Sequence, residues 1–161
     1  MNKKIMPMIS WGATILSALC GLVAFAMIFV TAINTVTPPY SILQNDYSGL
    51  QVALGCSTTS GHTIFNASAG IILAFAFPLI GACVAVIGKG YKIVTGVAAL
   101  LLVTGGALAL SVVSLLNPAI TFPDATLGAG PIAAGVLSIF GGAALCVSVI
   151  LDILAAKTAE K

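Results

Sequence analysis

Four long apolar stretches, near residues 10–33, 67–87, 93–116 and 130–155, constrain this chain more than any other feature. Each reaches the length of about 20 residues that a helix needs to cross the hydrocarbon of a bilayer. Inside that hydrocarbon no water is present to satisfy peptide groups, so a spanning segment must form its hydrogen bonds internally. Breakers bound every stretch. Asn34 to Pro39 ends the first, Gly88 to Gly90 makes a tight turn after the second, and Asn117-Pro118 stops the third, because proline cannot continue a helix. Pro131 suits the first turn of the fourth. Composition agrees: 60% of residues are hydrophobic and 6% charged, against roughly 25% charged in soluble domains. The expected fold is an all-α membrane protein, a four-transmembrane-helix bundle. Residues 1–161 form a single polytopic domain with loops at 34–66 and 117–129.

Orientation follows from the lysines, since basic flanks stay in the cytoplasm. Lys3 and Lys4 precede the first span, Lys89 and Lys92 flank the turn between the second and third, and Lys157 and Lys161 follow the fourth. The loops at 34–66 and 117–129 contain no lysine, only Asp46 and Asp124 as charges. Both termini are therefore expected in the cytoplasm and loop 34–66 outside, in a plasma or cytoplasmic membrane. Trp11 and Tyr91 fall at the inner interface, and Phe29, Phe65 and Phe122 near the outer one, where amphipathic rings settle. Residues 1–26 imitate a secretory signal, but the apolar run continues through Met27-Ile28-Phe29-Val30. An uncleaved anchor is the better reading.

Groups that do chemistry are scarce. All six basic residues are Lys, so the guanidinium fork that grips phosphates and carboxylates is missing. The charge of +2 is unclustered, which argues against nucleic acid. The four cysteines show no CxxC or Cys/His metal spacing, and Cys20, Cys83 and Cys146 read as small apolar residues within spans. His62 is the only histidine, the one base a hydrolase could use, and its spacing to Cys56 and Asp46 matches no metal-ligand pattern. No enzyme, metal or cofactor is expected. Asp152 is the only acidic residue in a span. It lies in the last turns of the fourth, near Lys157, where an interfacial carboxylate can be solvated or paired. Proton-driven designs that need a carboxylate at mid-membrane are thereby disfavoured.

The abundant pattern is small residues four apart, which lets helix backbones approach where lipid removes the hydrophobic drive for association. Such stripes run through Ala13, Ser17 and Gly21, then Gly70, Ala74 and Ala82, then Ala134, Ser138, Gly142 and Cys146. They are expected to be helix-packing surfaces, chiefly within the bundle and alternatively toward a partner. Pro78 should kink the second helix by freeing a backbone carbonyl. In the first loop Gln51 to Leu54 is expected as a short strand after a turn at Tyr47-Ser48-Gly49, and Tyr40, Tyr47, Cys56 and His62 are candidate contact residues.

Four spans, cytoplasmic termini and a dominant first outer loop resemble the layout of the claudin and tetraspan group. Gly49-Leu50 followed by Cys56 is similar to the claudin loop signature. Gln51 stands where that signature has Trp, and the second loop cysteine is absent, so its disulfide cannot form. Few ion-handling groups and much close-packing surface point to a non-enzymatic membrane accessory, scaffold or assembly subunit. Its expected partners are membrane lipids, another membrane protein or a second copy of itself. The alternative is a channel or carrier component for a neutral or apolar solute, with Pro78, Thr104, Ser111 and Ser114 along its route.

Overall fold

Each apolar run coils into a helix because that is the cheapest way to satisfy its peptide groups out of water. The computed structural model describes residues 5–35, 46–57, 61–119 and 125–159. Lys3, Lys4, Tyr40, Phe122 and Lys161 lie outside them. The long helices are α1 (Ile5–Ala26), α3 (Ala69–Ile87), α4 (Lys92–Leu110) and α5 (Ala129–Ala159), with a short α2 (Gly49–Leu54) between the first two. Four segments, Pro7–Phe29, Ala69–Ile87, Lys92–Leu110 and Ala129–Lys157, are long and apolar enough to cross a membrane. At 31 residues and about 1.5 Å per residue, α5 is about 46 Å long, well beyond the roughly 30 Å hydrocarbon core.

The long helices form a ring in which α1 packs on α3 and α5, and α4 on the same two. Small side chains line the interior: Ala24, Ala74, Ala85, Ala98, Ala109 and Ala134 are fully buried. Bulky ones such as Leu19, Leu22, Leu100, Phe140 and Ile150 face outward. That inversion of the soluble pattern is what close backbone packing in lipid requires. Buried Pro78 in α3 sits at such a crossing. A Cβ added at Gly21 would lie 2.6 Å from its carbonyl oxygen, and one at Gly105 2.6 Å from its Cδ.

At one end the connecting segments are ordered against the helices. After α1 a 3₁₀ turn (Met27–Phe29) leads into β1 (Thr31–Thr35), which pairs antiparallel with β2 (Asp46–Ser48) and β5 (Ala125–Leu127) in the order β2-β1-β5. A hairpin of β3 (Cys56–Ser57) and β4 (Thr63–Phe65) follows α2. Ile33 lies opposite both Tyr47 and Leu127. The Tyr47 and Phe65 rings meet edge to face, their centroids 5.0 Å apart. These residues share one apolar core with Ala24, Ile71, Phe75 and Ala134 of the long helices, so sheet and bundle end are continuous.

Local chemistry departs from expectation at several points. The first apolar run reaches Ile33, yet α1 ends at Ala26 and the remainder becomes β1, its β-branched residues fitting a pleated surface. The segment Gln51 to Leu54 is helical, not a strand. Ser48 caps α2: its Oγ accepts from the Gln51 N–H at 3.4 Å while Gln51 Oε1 accepts from the Ser48 N–H at 2.9 Å. This reciprocal pair nucleates a helix start. The third run likewise ends as α4 plus a 3₁₀ turn, Val112–Leu115.

Candidate functional site

One group of polar side chains from the long helices gathers at the opposite end, under the α3–α4 turn. Ser10 and Thr14 lie four residues apart on α1, as do Ser148 and Asp152 on α5, so each pair shares a helix face. The two faces meet. The turn Gly88-Lys89-Gly90 supplies the fifth member. Gly90 has a φ of 107°, a conformation glycine adopts freely. The turn is tied by Gly88 N–H to Val84 O at 2.8 Å and Tyr91 N–H to Gly88 O at 2.9 Å. Buried Thr95 adds a hydroxyl bond to the Tyr91 carbonyl.

From this turn the Lys89 side chain enters between α1 and α5 and is only 6% exposed, while that of Asp152 is 29% exposed. The Lys89 ammonium donates to Asp152 Oδ2 at 2.9 Å, to Ser148 Oγ at 2.8 Å, and to Ser10 Oγ. Ser10 Oγ donates to Asp152 Oδ1 at 2.6 Å. Ser148 Oγ reaches the Ser10 carbonyl at 3.1 Å, and Thr14 Oγ1 reaches Ser148 Oγ at 3.1 Å. In this assignment all three ammonium protons and all three hydroxyl protons have acceptors, which is what burial of polar groups demands. Trp11 places its ring centroid 5.9 Å from Lys89 Nζ, within cation–π range.

This arrangement differs from the sequence expectation, in which Lys157 was the nearest cation to Asp152. The partner is Lys89, 63 positions away in sequence. As it stands the cluster is closed. A Ser–Lys hydrolytic pair needs a free amine and a reachable hydroxyl, whereas here the amine is held by a carboxylate. Ser10 and Ser148 are 1% and 0% exposed.

The small-residue stripes lie mostly between the chain's own helices. A Cβ at Gly21 would meet Ala82 Cβ at 2.9 Å, one at Gly142 would meet Val103 Cγ2 at 2.7 Å, and one at Gly70 would meet Leu115 Cδ2 at 3.2 Å. Ser17, Ala74, Ala82, Ala134 and Ser138 are buried. Ala13 is half-buried, and Cys146 is exposed. Cys146 lines an open apolar groove of about 350 Å³ between α4 and α5, with Ala99, Leu100 and Val103. Of the loop candidates, Tyr47 is buried against Phe65, Cys56 is half-buried in β3, and His62 is exposed. Burial pushes the Cys56 thiol above its usual pKa, partly offset by a hydrogen bond to the Phe65 backbone.

The residues proposed to line a solute route do not converge. Pro78 is buried, whereas Thr104, Ser111 and Ser114 are exposed. Each of these hydroxyls donates to a carbonyl a turn back on its own segment, at 2.8, 3.0 and 2.7 Å. No protein-family model, curated protein or solved structure matches this chain.

Proposed function

We propose that this chain is a non-enzymatic accessory or assembly subunit of a membrane, engaging a neighbouring membrane protein or a second copy through its sheet end. In this reading α1, α3, α4 and α5 span the bilayer, the Lys89 turn and both termini face the cytoplasm, and the sheet caps the bundle outside. The lysine distribution supports the orientation.

One observation carries the functional reading. On α2, Gly49, Val52 and Ala53 are buried in the shared core, which leaves Leu50 at 37% and Leu54 at 61% exposure. They lie four residues apart on one outward face, in a segment outside the spans. Apolar side chains presented together on a rigid base outside the long helices suit an interaction surface. Meanwhile the strongest polar groups of the bundle are spent on one another at the other end.

The test is gentle extraction from native membranes followed by native sizing. The wild type should migrate as a particle larger than one bundle. Leu50→Glu with Leu54→Glu should release a smaller particle with unchanged helical content. A wild-type particle of single-bundle size, or a double variant of unchanged size, would refute the assignment.

A further inference from the structure

We propose that the polar cluster under the α3–α4 turn is a binding site for a primary ammonium group, and that Lys89 is its tethered ligand, fastening the turn to α1 and α5. The argument starts from the number and direction of the acceptors. A primary ammonium has three donors set tetrahedrally about a compact charge. Ser10 Oγ, Ser148 Oγ and Asp152 Oδ2 converge on the single Nζ atom of Lys89, one acceptor for each proton.

The acceptors are themselves held in place by bonds that do not involve Lys89. Ser10 donates to Asp152 Oδ1, Ser148 reaches the Ser10 carbonyl, and Thr14 reaches Ser148. The site is therefore organised independently of its occupant. Its selectivity follows from the same geometry. A planar guanidinium carries five donors in a fixed fork and would leave buried N–H groups unanswered where three oxygens face one point. An alkali cation would be drawn to the same oxygens but gains nothing from their tetrahedral placement about one point, which makes sodium the control for recognition of an ammonium as against attraction of any monovalent cation.

The side chain of Lys89 thus does two separable things: its ammonium fills the site, and its stem ties the turn to it. Lys89→Ala removes both, and a small primary ammonium from solution can restore only the first. The chain's single tryptophan, Trp11, lies beside the site and reports its occupancy by fluorescence.

The experiment compares wild type, Lys89→Ala, Lys89→Arg and Lys89→Ala with Asp152→Asn, all purified in the same detergent. Each is titrated with methylammonium chloride, and with sodium chloride at matched ionic strength. In Lys89→Ala, methylammonium should restore the Trp11 emission spectrum saturably and recover part of the lost unfolding midpoint, the more so the higher its concentration, as ligand binding to the folded state requires. Sodium should do neither, the double variant should respond to neither salt, and Lys89→Arg should stay below wild type. If Lys89→Ala folds only when methylammonium is present during extraction, that dependence is itself the expected rescue. Equal responses to sodium and methylammonium, a Lys89→Ala variant indifferent to both or folded with neither, or wild-type stability in Lys89→Arg would overturn the proposal.

Discussion

Replacing Gly21 with alanine adds one methyl group to a close contact between α1 and α3, and its effect can be isolated by making the same change nine residues earlier, at Gly12. A Cβ at Gly21 would lie 2.6 Å from the Pro78 carbonyl oxygen, 2.9 Å from Ala82 Cβ and 3.1 Å from Leu102 Cδ2. Two of those neighbours are backbone or a methyl fixed to it, so they cannot swing aside. Relief requires the helices to part by several tenths of an ångström along the crossing. At Gly12 the added methyl meets nothing within 4 Å. Both changes alter intrinsic helix propensity by the same amount, up to about 1 kcal/mol in favour of alanine, and that contribution cancels between them. What remains is overpacking, about 1–3 kcal/mol. Gly21→Ala should therefore be less stable than Gly12→Ala by that amount in reversible unfolding from mixed micelles, followed by helical circular dichroism. Stabilities agreeing within about 0.5 kcal/mol, the usual span for inconsequential surface changes, would refute the reasoning.

Further expectations bear on other parts of the molecule. Because burial raises the Cys56 pKa, a maleimide added to the detergent-purified protein should label it more slowly than free glutathione at neutral pH. The rate should climb as pH rises toward the thiol range and vanish in Cys56→Ser; a glutathione-like rate at neutral pH would contradict the burial. The same raised pKa makes folding tighten the thiol's hold on its proton, so its contribution to stability is complete below the ordinary thiol pKa and lost as pH rises through the folded value. In a double-mutant cycle, Asp152→Asn and Lys89→Met should couple favourably by about 1–3 kcal/mol, below the 3–5 kcal/mol cost of breaking a fully buried pair, because Asp152 keeps 29% exposure. Additive effects would show the two charges to be independent. Ser48→Ala should weaken α2 by about 1 kcal/mol through loss of its cap, read as faster amide exchange confined to Gly49–Leu54; unchanged exchange would argue against the capping box.

What could be read from the sequence and what could not divides along the range of the forces involved. The four long apolar helices were legible because length and apolarity over about 20 residues is a local property. Their ends were less so, since an apolar residue such as Ile33 serves equally as the tail of α1 or, as here, the centre of β1, opposite Tyr47 and Leu127. That choice depends on partners 14 and 94 residues away. The strand expected at Gln51 to Leu54 shows a different failure. The Ser48-x-x-Gln51 cap was present in the sequence, and it makes Tyr47-Ser48-Gly49 a helix start where the expectation had a turn leading into a strand.

The polar cluster was only half legible, and the missing half is instructive. Asp152 stood out because a carboxylate in a span demands a partner. Ser148 lies four residues before it and Ser10 four before Thr14, so the spacing was there to be used, but the expectation from sequence did not single these hydroxyls out. Nothing local linked those faces to Lys89, whose position in a glycine-flanked turn reads equally as a solvated cytoplasmic charge. Ring closure decides between the two. In a ring where α4 packs on α3 and α5 while α5 packs on α1, the α3–α4 turn and the α1–α5 seam close the same end, and the Lys89 side chain crosses it to Ser10, Ser148 and Asp152. The bundle therefore answers its one spanning carboxylate with a cation borrowed from a connecting turn. That places the ion pair where residues of the first helix, the α3–α4 turn and the last helix meet, so its full set of bonds needs all three brought together.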